Sequence, residues 1–170
     1  MEIYRSDFHH FEGPQLYRET LFDIGINDLG DPETPIEVQI VAHQEGEDFL
    51  LRGTVQTELT LPCDRCLGVA HHALNGSFEV WLLAEARPDL EVDEDDILIV
   101  PFARPKVDLS EIISRTVYLE LPRKMLCHED CRGLCPTCGT DLNQQSCECQ
   151  TVTFDERWSA LLDIKQHLKE

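Results

Sequence analysis

Eight cysteines constrain this chain more than any other feature, because they fall into four close pairs with none left over: Cys63/Cys66, Cys127/Cys131, Cys135/Cys138 and Cys147/Cys149. Six of them lie within the 23 residues from Cys127 to Cys149, and the first pair stands about sixty residues upstream. Zinc takes four thiolate or imidazole ligands in a tetrahedron, and a structural site is closed by four protein side chains. Eight cysteines in four pairs therefore suit two structural zinc ions. In a reducing compartment, pairs this closely spaced favour metal over disulfides.

Four pairs can combine into two sites in three ways, and the sequence alone does not decide between them. The favoured arrangement joins Cys135/Cys138 to Cys147/Cys149, since Cys-Pro-Thr-Cys-Gly makes a turn relieved by its glycine and Cys147-Glu148-Cys149 returns to it across a short loop. That leaves Cys63/Cys66 with Cys127/Cys131. Such a clasp closes a loop of about sixty residues, which the chain-entropy argument for cross-links values at about 4 kcal/mol. Structural zinc contributes on the order of 10–16 kcal/mol in small peptides at neutral pH, so loss of either ion is expected to unfold its surroundings.

The 170 residues suffice for one ordinary core with a small satellite. Their 33 acids against 14 Lys and Arg give a formal charge of −19. Such a charge repels nucleic-acid phosphates at long range and attracts basic proteins. The start of the chain, Met1 to Asp7, lacks the basic and apolar regions of a signal peptide. No later segment reaches the ~18 apolar residues of a membrane helix. A cytoplasmic protein without membrane contact or a small-molecule substrate is the expectation.

Strand signals are clearest between residues 35 and 83. Ile36, Val38, Ile40 and Ala42 alternate with more polar neighbours, and Leu51, Gly53, Val55, Thr57, Leu59 and Leu61 share one side of a second run, which predicts a hairpin turning at 45–48. Pro62 has no ladder donor and ends that run at the first cysteine turn, and Val69 to Leu83 resumes as a strand. Short strands are expected at 15–22 and, last in the chain, at 97–100. Residues 85–96 read as a solvated acidic connection. Asp108 and Glu111 form a capping box for a helix to about Leu121, stopped by Pro122, and Thr153 to Glu156 start a second helix. Trp81 and Trp158 read as core anchors.

The predicted class is α+β: an antiparallel sheet or partly open barrel with two helices and a cysteine-rich zinc segment. Residues 1–126 would form the β-rich domain, 127–150 the zinc segment, and 151–170 a helix docked on the main domain. Enzymatic readings are weaker. Cys135-Pro136-Thr137-Cys138 has redox spacing without a βαβ setting, and His128 and Glu129 are exposed turn residues rather than a catalytic base beside an open zinc site. A thiol-dependent redox or metal-handling protein is the alternative. Arg65, Arg123, Lys124 and Arg132 lie beside cysteines and, with Arg115, are the candidates for an RNA or partner contact.

The C-D-R-C-L of Cys63 to Leu67, the D-L-S-E-I-I of Asp108 to Ile113 and the L-P-R-K-M-L-C-H-E-D-C-R-G-L-C-P-T-C-G-T-D-L-N run closed by C-E-C resemble the YceD family, also called DUF177. The order and spacing match over most of the chain, less so before residue 35. The resemblance implies a non-enzymatic role in accumulation of large-subunit ribosomal RNA, with the large-subunit precursor, its rRNA or a basic ribosomal protein as partner. It also implies that Cys63/Cys66 with Cys127/Cys131 is the more general site of the family. A typical RNA-binding module is basic, so the acidity of this chain favours a basic protein partner over direct contact with RNA.

Overall fold

A computed structural model describes residues 1–87, 93, 96–103 and 106–149. The period-two runs become the strands they predict. β1 (Glu2–Tyr4) is followed by a 3-10 helix (Arg5–His10), β2 (Gln15–Thr20), β3 (Pro35–Glu45), β4 (Asp48–Pro62), β5 (Val69–Leu83), β6 (Ile97–Ile99), β7 (Lys106–Asp108) and α1 (Ser110–Leu119). Strands β2 to β6 form one open sheet in sequence order, antiparallel except for the parallel β5–β6 pair, and β1 pairs with β7 in a separate ribbon. The described strands close no barrel.

Alternation decides which face is buried. Ile36, Val38 and Ile40 of β3, Phe49, Leu51, Val55 and Leu59 of β4, and Leu74, Phe78, Val80 and Leu82 of β5 form the inner face. Ile112, Ile113 and Val117 of α1 pack over it, together with Ile3, Phe8, Leu21, Ile24 and Ile26. Two glycines make room on this face, Gly53 for the ring of its cross-strand neighbour Phe78 and Gly76 for α1. A Cβ at Gly53 would lie 2.2 Å from the Phe78 ring, and one at Gly76 would lie 2.7 Å from Thr116 Cγ2 of α1. Gly46, with φ +67°, makes the tight β3–β4 turn.

Several expectations are corrected. Trp81 falls on the outer face, between inward Val80 and Leu82, and is half-buried rather than a core anchor. β6 is not the last strand: β7 follows it, too short to show a period. Asp108 closes β7 and accepts the Ser110 N–H at 2.9 Å, so α1 starts later than the capping box places it, with Leu109 at the cap position, and it ends at Leu119. The acidic connection lies largely outside the described residues, as do Trp158 and the second helix.

Among the described residues Arg5 is the one buried guanidinium, 5% exposed. It donates to the carbonyls of Glu47 at 2.5 Å and Val100 at 3.2 Å, and lies over the rings of Phe49 and Phe102. These bonds tie the N-terminal turn to the β3–β4 hairpin and the end of the β6 segment. Main-chain acceptors satisfy a buried donor that has no close carboxylate; Asp48 stands 3.9 Å away.

Candidate metal centres

The longest hairpin, β4–β5, holds its register to Pro62 opposite Val69 and carries the first cysteine turn on its tip. There Cys63 N–H donates to Gly68 O at 2.7 Å and Leu67 N–H to Cys63 O at 2.9 Å. Leu67 accordingly adopts a left-handed backbone, φ +60°. Asp64 reaches across to the segment after α1: its N–H donates to Met125 O at 2.8 Å, and its carboxylate accepts the Met125 N–H at 2.7 Å. That double bond delivers Cys127 and Cys131 to the turn. The Sγ atoms of Cys63 and Cys131 lie 3.8 Å apart, and those of Cys66 and Cys127 3.6 Å apart.

The second turn repeats the first. Cys135 N–H donates to Thr140 O at 2.8 Å and Gly139 N–H to Cys135 O at 2.9 Å, with Gly139 at φ +73°. Cys147 and Cys149 complete it. The four pairs thus come together as Cys63, Cys66, Cys127 and Cys131, and as Cys135, Cys138, Cys147 and Cys149, each set with its sulfurs within 4.8 Å of one another. A tetrahedron of sulfurs at 2.3 Å from zinc has an edge of about 3.8 Å, which the two closest pairs of the first set match. Both tetrads can hold a metal ion. All donors are thiols, which suits a soft or borderline divalent ion.

Each tetrad mixes lowered and raised thiols: Cys63 against Cys66 and Cys127 in the first, Cys135 and Cys138 against Cys147 and Cys149 in the second. Burial pushes the Cys63 thiol up, but the backbone N–H groups of Cys66, Arg65 and Cys127 outweigh it and bring Cys63 down to about 6. Burial, then the thiols of Cys131, Cys66 and Cys63, pushes Cys127 up to about 12. In the second set the Thr140 hydroxyl and N–H lower Cys138 to about 6, while the neighbouring Cys138 sulfur and burial raise Cys149 to about 12. Four thiolates in van der Waals contact repel one another, so without an ion the protons stay on some of them.

Residues that the sequence reading passed over bind the two centres together. Gly133, φ +75°, lies against Arg65: a Cβ there would stand 2.9 Å from Arg65 O, while Leu134 N–H donates to that same oxygen at 3.1 Å. Asn143 accepts the Arg132 N–H at 2.7 Å and turns its Nδ2 towards Cys131 Sγ at 3.4 Å. The asparagine of a D-L-N triplet between knuckles and the glycine of R-G-L were the available signals. Asp64, inside the first turn, was another.

The five candidate cations do not form one group. Arg65 Nη1 is engaged by the Cys131 carbonyl at 2.7 Å, and Arg123, Lys124 and Arg132 are exposed around the first tetrad. Arg115 sits on α1, paired with Asp96 at 2.8 Å. His128 and Glu129 are exposed, as a turn requires. The cysteine-bearing segments, 63–68 and 123–149, carry four Lys and Arg against five acids, so nearly all of the −19 charge lies elsewhere. No helix of the described residues is long and apolar enough to cross a membrane.

The profile of a family described as large ribosomal RNA subunit accumulation protein YceD matches residues 51–165, a stretch that contains all eight cysteines. Among curated proteins, the chloroplastic large ribosomal RNA subunit accumulation protein YCED homolog 1 of Zea mays is 28% identical over 200 residues, spanning 87% of this chain and 67% of that protein. The homolog 1 of Arabidopsis thaliana is 25% identical over 162 residues, spanning 81% and 50%. An uncharacterized protein of Mycobacterium tuberculosis is 28% identical over 130 residues, spanning 76% and 61%. The chain thus spans about half to two thirds of the length of these relatives. No solved structure matches it.

Proposed function

The chain belongs to the YceD family, and from that premise we propose that it is a non-enzymatic factor, stabilised by two structural zinc ions, that promotes accumulation of large-subunit ribosomal RNA through a basic protein of the assembling subunit. The family match across both tetrads carries this reading. Cys63, Cys66, Cys127 and Cys131 would hold one ion, and Cys135, Cys138, Cys147 and Cys149 the other. Four sulfurs close each set, so a bound zinc supplies rigidity and keeps no position for a substrate. The chain's own residues shape what surrounds it: Asp64 and Arg65 lock the two segments, and the acidic remainder of the molecule provides the field.

Charge favours a protein contact over a direct RNA contact. Of the cations named as RNA candidates, Arg65 and Arg115 are spent on internal partners, and the three exposed ones are matched by Glu129, Asp130 and Glu148 nearby in the sequence. Phosphate neutralisation needs a surplus of cations that this end lacks.

Deletion of the gene, followed by measurement of the ratio of large- to small-subunit RNA, tests the role; the expected result is a fall that the wild-type chain restores and a Cys63→Ser chain does not. An unchanged ratio on deletion would end the assembly reading. Metal analysis of reduced, purified protein is expected to approach two zinc ions per chain. Loss of both zinc ions to a chelator while the chain stays fully folded would instead support metal handling.

A further inference from the structure

Among the described residues, the second side of β5 is largely bare. β4 pairs with β5 over fourteen consecutive register positions from Phe49 to Pro62, whereas β6 reaches only Trp81–Leu83 among the described residues. A strand sends N–H and C=O groups to both sides, so from Ala70 to Val80 one edge presents donors and acceptors that no described strand pairs. A recess of about 490 Å³ opens beside this edge, lined by Ser77, Phe78 and Glu79 from the strand and by Leu119 and Glu120 beyond it. The end of α1 rests on the strand at Gly76, where an added Cβ would lie 2.9 Å from Glu120 Cγ. Leu119 forms an apolar lip and is 77% exposed.

The same recess is negative. Glu79, Asp93, Asp96 and Glu120 line it; Arg52 pairs with Glu79 at 2.5 Å and Arg115 with Asp96 at 2.8 Å, so the excess charge is that of Asp93 and Glu120. The last turn of α1 carries no basic side chain, although the carbonyl end of a helix favours a cation. A free backbone edge selects an extended peptide, an exposed leucine selects an apolar side chain, and the field selects Lys or Arg. RNA offers no amide ladder and carries the wrong charge.

We propose that a basic, extended segment of a partner protein adds to the sheet as a strand along the edge of β5 that the described residues leave open, with an apolar side chain on Leu119 and cationic side chains at Asp93 and Glu120. This deepens the reading above, since it rests on a basic protein partner and gives that partner a place to bind.

The test uses the full reduced, metal-loaded chain and a labelled peptide in which Lys and Arg alternate with Leu and Val, read by fluorescence anisotropy and by hydrogen exchange. Glu120→Lys is expected to weaken binding about tenfold and Leu119→Ser several-fold, while Glu33→Lys, the same charge change on the exposed β2–β3 connection, stays within about twofold. Amides between Ala70 and Val80 are expected to gain protection when the peptide binds. Equal weakening by Glu33→Lys and Glu120→Lys would overturn the proposal, since the attraction would then belong to the whole molecule. Full protection of those amides before peptide is added would overturn it too, because the chain's own residues would already occupy the edge. Displacement of the peptide by single-stranded rRNA fragments alone would assign the edge to RNA. A normal RNA ratio on gene deletion would remove the cellular role and leave this binding standing; unchanged affinity in both edge variants would remove the edge and leave the role.

Discussion

The two cysteine turns share one backbone and differ in what they hold together. In both, the first cysteine's N–H donates five residues ahead and its carbonyl accepts from four ahead, at distances that agree within 0.1 Å. The first tetrad then joins segments more than sixty residues apart, with Cys63 at 0% and Cys131 at 2% exposure inside a small core with Ala70 and Met125. Leu61 packs against that core and against the main one. The second tetrad is local, with Cys135 buried, Cys147 and Cys149 half-buried and Cys138 exposed. One motif thus serves as a clasp of the whole fold in one place and as the staple of a short loop in the other. Sequence distance and burial, rather than the motif, set its energetic weight.

The largest expected effect separates the two by substitution. Cys131→Ser leaves three ligands in a buried site, and the resulting release of the ion opens a loop of about sixty residues, worth about 4 kcal/mol in chain entropy beyond the lost coordination. Cooperative unfolding in urea should therefore move to much lower denaturant or vanish. Cys138→Ser should leave the sheet's transition in place while amides of 133–149 lose exchange protection. Equal collapse in both variants would show that the two centres fold as one unit.

With an ion in each tetrad, as proposed, chelation sharpens the same contrast without mutation. An exposed ligand lets a chelator compete, so the second tetrad should release its ion at least about tenfold faster than the first, with the far-UV spectrum unchanged until the first ion leaves. A chromogenic chelator followed by stopped flow reads both phases. A single phase releasing both ions would contradict the burial argument.

Much of this contrast was legible beforehand, and the rest was not for identifiable reasons. The cysteine spacing and the period-two runs of β3, β4 and β5 are strong local signals, and a strand-end proline placed the first turn at a hairpin tip. β1 and β7 are three residues each and pair Glu2 with Asp108, a contact with no local trace. Arg5 gave no signal either, because its acceptors are main-chain carbonyls more than forty residues away. Arg115 was grouped with the cysteine-side cations by charge alone, yet its helix carries it to Asp96. Local chemistry was readable; which distant segment meets it was not.

Acid should act on both tetrads alike, because each contains a thiol lowered to about 6. Cys63 and Cys138 sit at about 6, below the ordinary thiol value of 9.0, so their thiolates stabilise the folded chain above that ordinary value and this contribution is lost as pH falls through about 6. Cys127 and Cys149, at about 12, keep their protons at neutral pH until an ion displaces them. Metal uptake at pH 7 should accordingly release protons into weak buffer, and affinity should fall about tenfold per pH unit for each proton regained below pH 6. Loss of only one ion between pH 6 and 5 would mean that burial, not thiolate chemistry, governs the acid limit.

The smallest effect tests the left-handed position of the shared backbone, which one turn fills with leucine and the other with glycine. Gly139 meets the left-handed conformation without cost, whereas Leu67 holds it against the clash of its own Cβ, about 1–2 kcal/mol for an L-residue. Leu67 is 70% exposed, so little burial offsets that cost. Replacing it by glycine removes the clash and adds unfolded-chain entropy worth up to about 1 kcal/mol, leaving Leu67→Gly about 0.5 kcal/mol more stable. Gly139→Ala meets no atom within 4 Å and should lose about 1 kcal/mol from φ alone. Urea midpoints of the two variants, measured with both ions bound, should move in opposite directions. A Leu67→Gly chain that is less stable than wild type would show that the leucine side chain is held by contacts strong enough to exceed the strain, and the equivalence of the two turns would fail at that residue.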